Sequence, residues 1–311
     1  MNKPPAPAPI DVLTEIPPLL QKFLQRRRVG LSTIAELLAE FGIERPLFFE
    51  MVLIRMTQGI FGKDEITLAE LRAYDPYAVI EHHTEYIARL HEKGLVLQDE
   101  HGNITLSPVG RRAIDRLHTE GTSYVAGRMV LPHETLERLA GELRRCADAL
   151  AADPALTPRP GSHLAGYMSL SRYGDHSKPM VRIEQAVGEL WGARDDVYTA
   201  VWREADMEGP PLDVLSHIWS GAATVSDLCE ALKMKQTPED IESSLSWLAE
   251  HEYVERDGDS VSMTPMGVMA RDDIESETDR LYFAYWPQTT AEAEWTCDTL
   301  RDLVAKLLTP Q

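Results

Sequence analysis

The sequence predicts a mainly α-helical protein with two small two-stranded β ribbons, built as two copies of one helix–helix–ribbon unit. Three observations carry this. Apolar residues recur at helical spacing along most of the chain. Two short alternating stretches, each broken by a glycine, interrupt that spacing. And the segment 66–114, "ITLAELRAYDPYAVIEHHTEYIARLHEKGLVLQDEHGNITLSPVGRRAI", returns in outline at 223–270, "ATVSDLCEALKMKQTPEDIESSLSWLAEHEYVERDGDSVSMTPMGVMA".

The elements follow in the same order in both copies. Thr67 and Thr224 each open a helix with an acid three residues on, Glu70 and Asp227, the pattern of a capping box. The next helix is expected to open at Asp75-Pro76 in the first copy and Thr237-Pro238 in the second, because proline lacks the N–H that a first turn leaves unpaired. Apolar stripes then run through Ile80, Ile87 and Leu90, and through Ile241, Leu245 and Leu248. Each stripe leads into a strand, "GLVLQ" or "EYVER", a turn with Gly102 or Gly258, and a return strand ending in "LSPVG" or "MTPMG". That Ser/Thr-Pro-x-Gly ending starts a further helix, containing "SYVAGR" at 123–128 and "LYFAYW" at 281–286. A last amphipathic helix closes each half, marked by Leu136, Leu139, Leu143 and Leu150, and by Leu300, Leu303 and Leu307. Upstream, "FFEMVLIRM" and "PLDVLSHIW" are the matching buried helices. The expected organisation is a flexible Pro/Ala-rich tail at 1–14, a first half at 15–150, a linker at 151–179 and a second half at 180–311.

Composition bounds the function. The 311 residues suffice for two domains, and the net charge is −19. Residues 1–157 carry 18 Lys and Arg against 22 Asp and Glu; the remainder carry 13 against 28. So acidic a surface repels phosphate at long range. Three scattered cysteines, Cys146, Cys229 and Cys297, give neither a disulfide framework nor a zinc cluster, and a cytoplasmic location is expected. No apolar run reaches about 18 residues, so no membrane span is expected. No phosphate loop, nucleophile elbow or HExxH pattern appears, and neither enzymatic activity nor a cofactor is expected.

With the helix pair, the ribbon and the "LSPVGRRAI" and "MTPMGVMA" turns, each half resembles a winged-helix domain of the MarR-like kind. The segment "LWGARDDVYTAVWR" is also similar to uncharacterised bacterial helix-turn-helix proteins. The resemblance implies tandem duplicated winged-helix domains forming a pseudo-dimer within one chain. It also implies transcription regulation, double-stranded DNA as partner, and a small ligand held between the dimerising and DNA-binding parts. One departure stands out: the family's wings display an Asp-x-Arg, whereas these tips read "QDEHGN" and "ERDGDS".

Phosphate attraction needs Lys and Arg, and base readout needs Arg, Asn, Gln or similar groups on the inserted helix. The second copy's helix offers Glu239, Asp240, Glu242 and Glu250 and no base, so DNA contact is expected chiefly in the first half. The candidates there are His82, His83 and Arg89 on the helix and Arg111 and Arg112 after the wing, with "QRRRVG" at 25–30 as a further phosphate clamp. The competing reading of these arginines is a solvated face paired with carboxylates. A metal site at His82, His83, Glu85 and His91 is not expected, because adjacent helical side chains point about 100° apart. Asp195 and Asp196 diverge in the same way and read as a cap or dipole partner before a catalytic pair. Trp202, His217, Trp219, Tyr282 and Trp286 are the candidates for an apolar ligand cavity, against plain core packing. A protein partner with a basic surface is the alternative use of the acidic helix, in a chain that has kept the shape and lost the nucleic acid.

Overall fold

The computed structural model describes residues 8–152, 162–170, 173–233 and 235–308. In chain order the elements are α1 (Ile10–Leu13), α2 (Ile16–Arg26), α3 (Thr33–Glu40), α4 (Arg45–Phe61), α5 (Leu68–Tyr74), α6 (Ile80–Glu92), β1 (Val96–Gln98), β2 (Ile104–Leu106), α7 (Pro108–Gly127) and α8 (His133–Ala151). They continue with α9 (His163–Ser169), α10 (Pro179–Glu204), α11 (Gly209–Trp219), α12 (Val225–Leu232), α13 (Pro238–Glu250), β3 (Val254–Asp257), β4 (Ser260–Met263), α14 (Pro265–Phe283) and α15 (Thr290–Lys306).

The same local chemistry builds both ribbons. Each is an antiparallel pair, with Val96 opposite Leu106 and Val254 opposite Met263. A single-residue bridge flanks each pair, Ile66 to Ile104 and Thr224 to Ser260. The helices that follow these bridges, α5 and α12, open on complete capping boxes, Thr67 with Glu70 and Thr224 with Asp227. The Ser/Thr-Pro-x-Gly turn has a physical reason in both places. The Ser107 and Thr264 hydroxyls accept from Gly110 N and Gly267 N, at 3.0 Å each. They donate back to Gly94 O and Glu252 O. The helix thereby starts hard against the ribbon, and a Cβ on Gly110 would lie 2.1 Å from Leu95 O, on Gly267 2.0 Å from Tyr253 O. Only glycine fits.

Three apolar cores result. One, in the first half, joins Leu47, Met51, Ile54, Ile87, Leu90 and Ile114. One, in the second, joins Leu212, Leu215, Leu228, Ile241, Leu248 and Ile274. The third is shared. It combines Leu20 and Phe23 of α2, Leu139 and Leu143 of α8, Ile183 and Val187 of α10, and Leu300 and Leu303 of α15. The packing is crossed: α8, which closes the first half, lies along α10, which opens the second, while α15 lies along α2.

Two expectations need correction, and the expected linker holds a further helix. The tail was expected at 1–14, of which 1–7 lie outside the described residues. Ala8 N donates to Gln288 O at 2.8 Å, and Leu13 is buried, so 8–14 pack onto the shared core. The linker at 151–179 holds α9, tied to α10 where Asp196 accepts from the Ser162 hydroxyl and Leu164 N; 153–161 and 171–172 lie outside the described residues. And α6 opens at Ile80, not at Pro76, with no side-chain cap. Thr237-Pro238 does open α13, with a full capping box.

Candidate functional site

The late start of α6 is explained by what the turn before it does. The Tyr77 hydroxyl donates to Asp195 Oδ1 at 3.3 Å, its ring lies 6.1 Å from that of Trp202, and Lys235 Nζ sits 5.1 Å from its centroid. Val79 N donates to Lys235 O, and a Cβ on Gly209 would strike Pro76 O. The turn that joins α5 to α6 is therefore seated on the second half.

This seating decides which faces of α6 are free. His83 is fully buried, and its Nδ1 bonds Glu50 Oε1 at 3.0 Å. Burial works against the charged ring, but the Glu50 hydrogen bond and charge outweigh it and hold His83 above its usual value; burial raises Glu50 as well. His82 is buried against Tyr86, ring centroids 4.1 Å apart, and burial lowers it. Both histidines face inward. The exposed positions of α6 include Glu81, Thr84, Glu85 and Ala88. Arg89 is held by Glu44 at 2.5 Å and lies over Tyr86.

Arg111 and Arg112 stand at the start of α7 beside the first ribbon. Arg111 reaches Asp64 at 3.5 Å; Arg112 is exposed and forms no ion pair among the described residues. The arginines of "QRRRVG" divide. Arg26 donates to Val304 O, while Arg27 and Arg28 turn inward onto Glu184. In the second half, Glu239, Glu242 and Glu250 on α13 are exposed, with Glu242 paired to Arg256 of the ribbon.

The five aromatic-cluster candidates do not converge on one cavity. Tyr282 and Trp286 are in the shared core, 5.4 Å apart and edge to face, with the Tyr282 hydroxyl donating to Leu190 O at 3.0 Å. Trp202 belongs to the second-half core. Trp219 is 53% exposed, beneath the Arg271 guanidinium at 5.2 Å. His217 pairs with Asp213, which also takes Lys235.

Sequence reasoning singles out Asp195 and Asp196 but not the histidine that they hold. His163 lies 3.1 Å from Asp196 and 3.6 Å from Asp195, with its ring against Tyr74. Burial opposes its charge, but Asp195 and Asp196 prevail and raise it to about 9. "RDD" at 194–196 shows in the sequence as a pair of acids; His163 lies some thirty residues away and no spacing rule links it to them.

Residues 161–311 match the model of a helix-turn-helix family. No curated protein and no solved structure matches the chain. The match, confined to residues 161–311, supports a helix-turn-helix protein. No helix among the described residues is long and apolar enough to cross a membrane.

Proposed function

We propose that the protein is a transcription-regulator-like helix-turn-helix protein made of two winged-helix units in tandem, joined as a pseudo-dimer. The observation that carries this is the repetition of one hydrogen-bonding pattern, from capping box to Ser/Thr-Pro-x-Gly turn, around each ribbon. The crossed packing of α8 on α10 and α15 on α2 supports the pseudo-dimer, because each half completes its core with a helix of the other. Double-stranded DNA contact falls chiefly to the first half. Arg112, without an ion pair among the described residues, and Arg111, weakly paired at the ribbon's edge, supply the phosphate attraction. Arg89 adds to it only by leaving Glu44. His82 and His83 hold α6 in place from beneath.

A second reading is favoured by charge. The exposed faces of α6 and α13 carry Glu81 and Glu85, and Glu239 and Glu242, which suit a protein partner with a basic surface better than a groove lined with phosphates. Titrating the intact chain with a labelled duplex, from low salt upward, separates the two. Binding that weakens steeply with salt supports the regulator; no binding at low salt leaves the acidic faces to a protein.

A further inference from the structure

The two halves differ in how they balance buried charge at one equivalent place. Counting from the Ser107 and Thr264 turns, the eleventh and fifteenth residues onward are His118 and Thr122 on α7 and Glu275 and Asp279 on α14. In the second half, Glu275 and Asp279 take Arg194 at 2.6 and 3.1 Å, and Glu275 also takes Arg271. Two carboxylates meet two guanidiniums there. In the first half the two guanidiniums, Arg27 and Arg28, converge on one oxygen of one carboxylate, Glu184, at 2.5 and 3.1 Å. His118 and Thr122 supply no charge where α14 has its acids; among the groups on the cavity wall Arg27 and Arg28 outnumber Glu184 by one positive charge, while Asp115 acts on His118 from the exposed side of α7.

The place is also hollow. A cavity of about 80 Å³ opens between α2, α7, α9 and α10, with Arg28, His118, Thr122, Tyr167 and Glu184 on its wall and Leu24 and Val181 as apolar surface. His118 is 8% exposed, and its Nε2 has no hydrogen-bond partner among the described residues; neither has Arg28 Nε. Buried donors are seldom left so. Burial first, and the Arg28 charge after it, lower His118 to about 4, so at neutral pH the ring is uncharged and free to present Nε2–H. Burial likewise lowers Arg28, with Glu184 only partly offsetting it.

We propose that this cavity binds a small monocarboxylate with a short apolar tail, whose carboxylate supplies the negative charge that Glu275 and Asp279 build into the other half. One negative charge neutralises the site, Arg28 and His118 donate to it, and the tail lies against Leu24 and Val181. The room favours a chain of a few carbons. The proposal names a site and a ligand class that the DNA reading does not require, and it is tested without DNA.

The full chain, with histidine ring carbons labelled, is titrated by NMR with sodium butyrate and, separately, with butyramide. Butyrate is expected to shift the His118 signal saturably and to raise its pKa from about 4, since an adjacent anion favours the protonated ring. Butyramide, equal in shape and uncharged, is expected to leave it unmoved. Thr122→Asp places a carboxylate where Asp279 stands in the other half and should weaken butyrate at least about tenfold through like-charge repulsion. Arg28→Gln should weaken it comparably by removing the excess positive charge, and it gives an independent reading if the first variant does not fold. No saturable shift with butyrate, an equal shift with butyramide, or unchanged butyrate affinity in a folded variant would overturn the proposal.

Discussion

His83 and Glu50 form a buried pair on α6 and α4, at 0% and 3% exposure. Removing Glu50 takes away the hydrogen-bond partner of the buried His83 Nδ1 and the charge that holds the ring's pKa up. Glu50→Ala is therefore expected to destabilise the protein by about 1–3 kcal/mol, read as a lowered urea midpoint. The His118 ring makes a different prediction. Its pKa falls from the ordinary 6.5 to about 4 on folding, so the unfolded chain binds the proton more readily between those values. The stability it contributes is complete above about pH 6.5 and is lost as pH falls through about 4, a span worth about 3 kcal/mol. The difference in stability between the parent and His118→Gln should shrink over that window. A flat difference would mean that His118 is not held neutral. Neither histidine's role was legible from the sequence. A side chain's inward or outward aim depends on which neighbour covers it, and Glu50 lies thirty-three residues from His83.

At the scale of the element, much was legible. Thr67, Thr224 and Thr237 cap helices as their spacing with Glu70, Asp227 and Asp240 requires, because capping boxes are closed by residues three apart and need no distant partner. The leucines of α8 and α15 are buried as their period requires. Asp75-Pro76 carried the same local signal as Thr237-Pro238 and failed, because Tyr77 gains more from Asp195, Trp202 and Lys235 of the other half than from a first helical turn. That contact is tertiary, and no local rule contains it. The shared turn gives a paired prediction. Gly110→Ala and Gly267→Ala each drive a Cβ into a backbone carbonyl and should each cost about 1–3 kcal/mol. Thermal melts of the two variants should fall by similar amounts, and a harmless substitution at either position would separate the two turns.

For the whole molecule, the crossed helices make the halves depend on each other. Leu143 of α8 and Leu300 of α15 are both fully buried in the shared core. Leu143→Ala or Leu300→Ala is expected to cost about 2–5 kcal/mol and to move one cooperative transition, not half of it. Two separate transitions would show that the halves fold alone. The mainly helical chain with two small antiparallel ribbons was readable in the sequence, but the crossing was not, since amphipathic stripes do not say which stripe they meet. The acidic balance was equally plain at the start, and it presses hardest on the proposed role in binding DNA. The most direct measurement is the salt dependence of binding to an unrelated-sequence duplex, comparing the intact protein with an Arg111→Ala, Arg112→Ala double variant and with Glu242→Ala. The account predicts binding at low salt, a slope shallower by about one unit for each phosphate that the double variant no longer neutralises, and little change with Glu242→Ala. No binding at low salt, or a double variant that binds as the parent does, would contradict it.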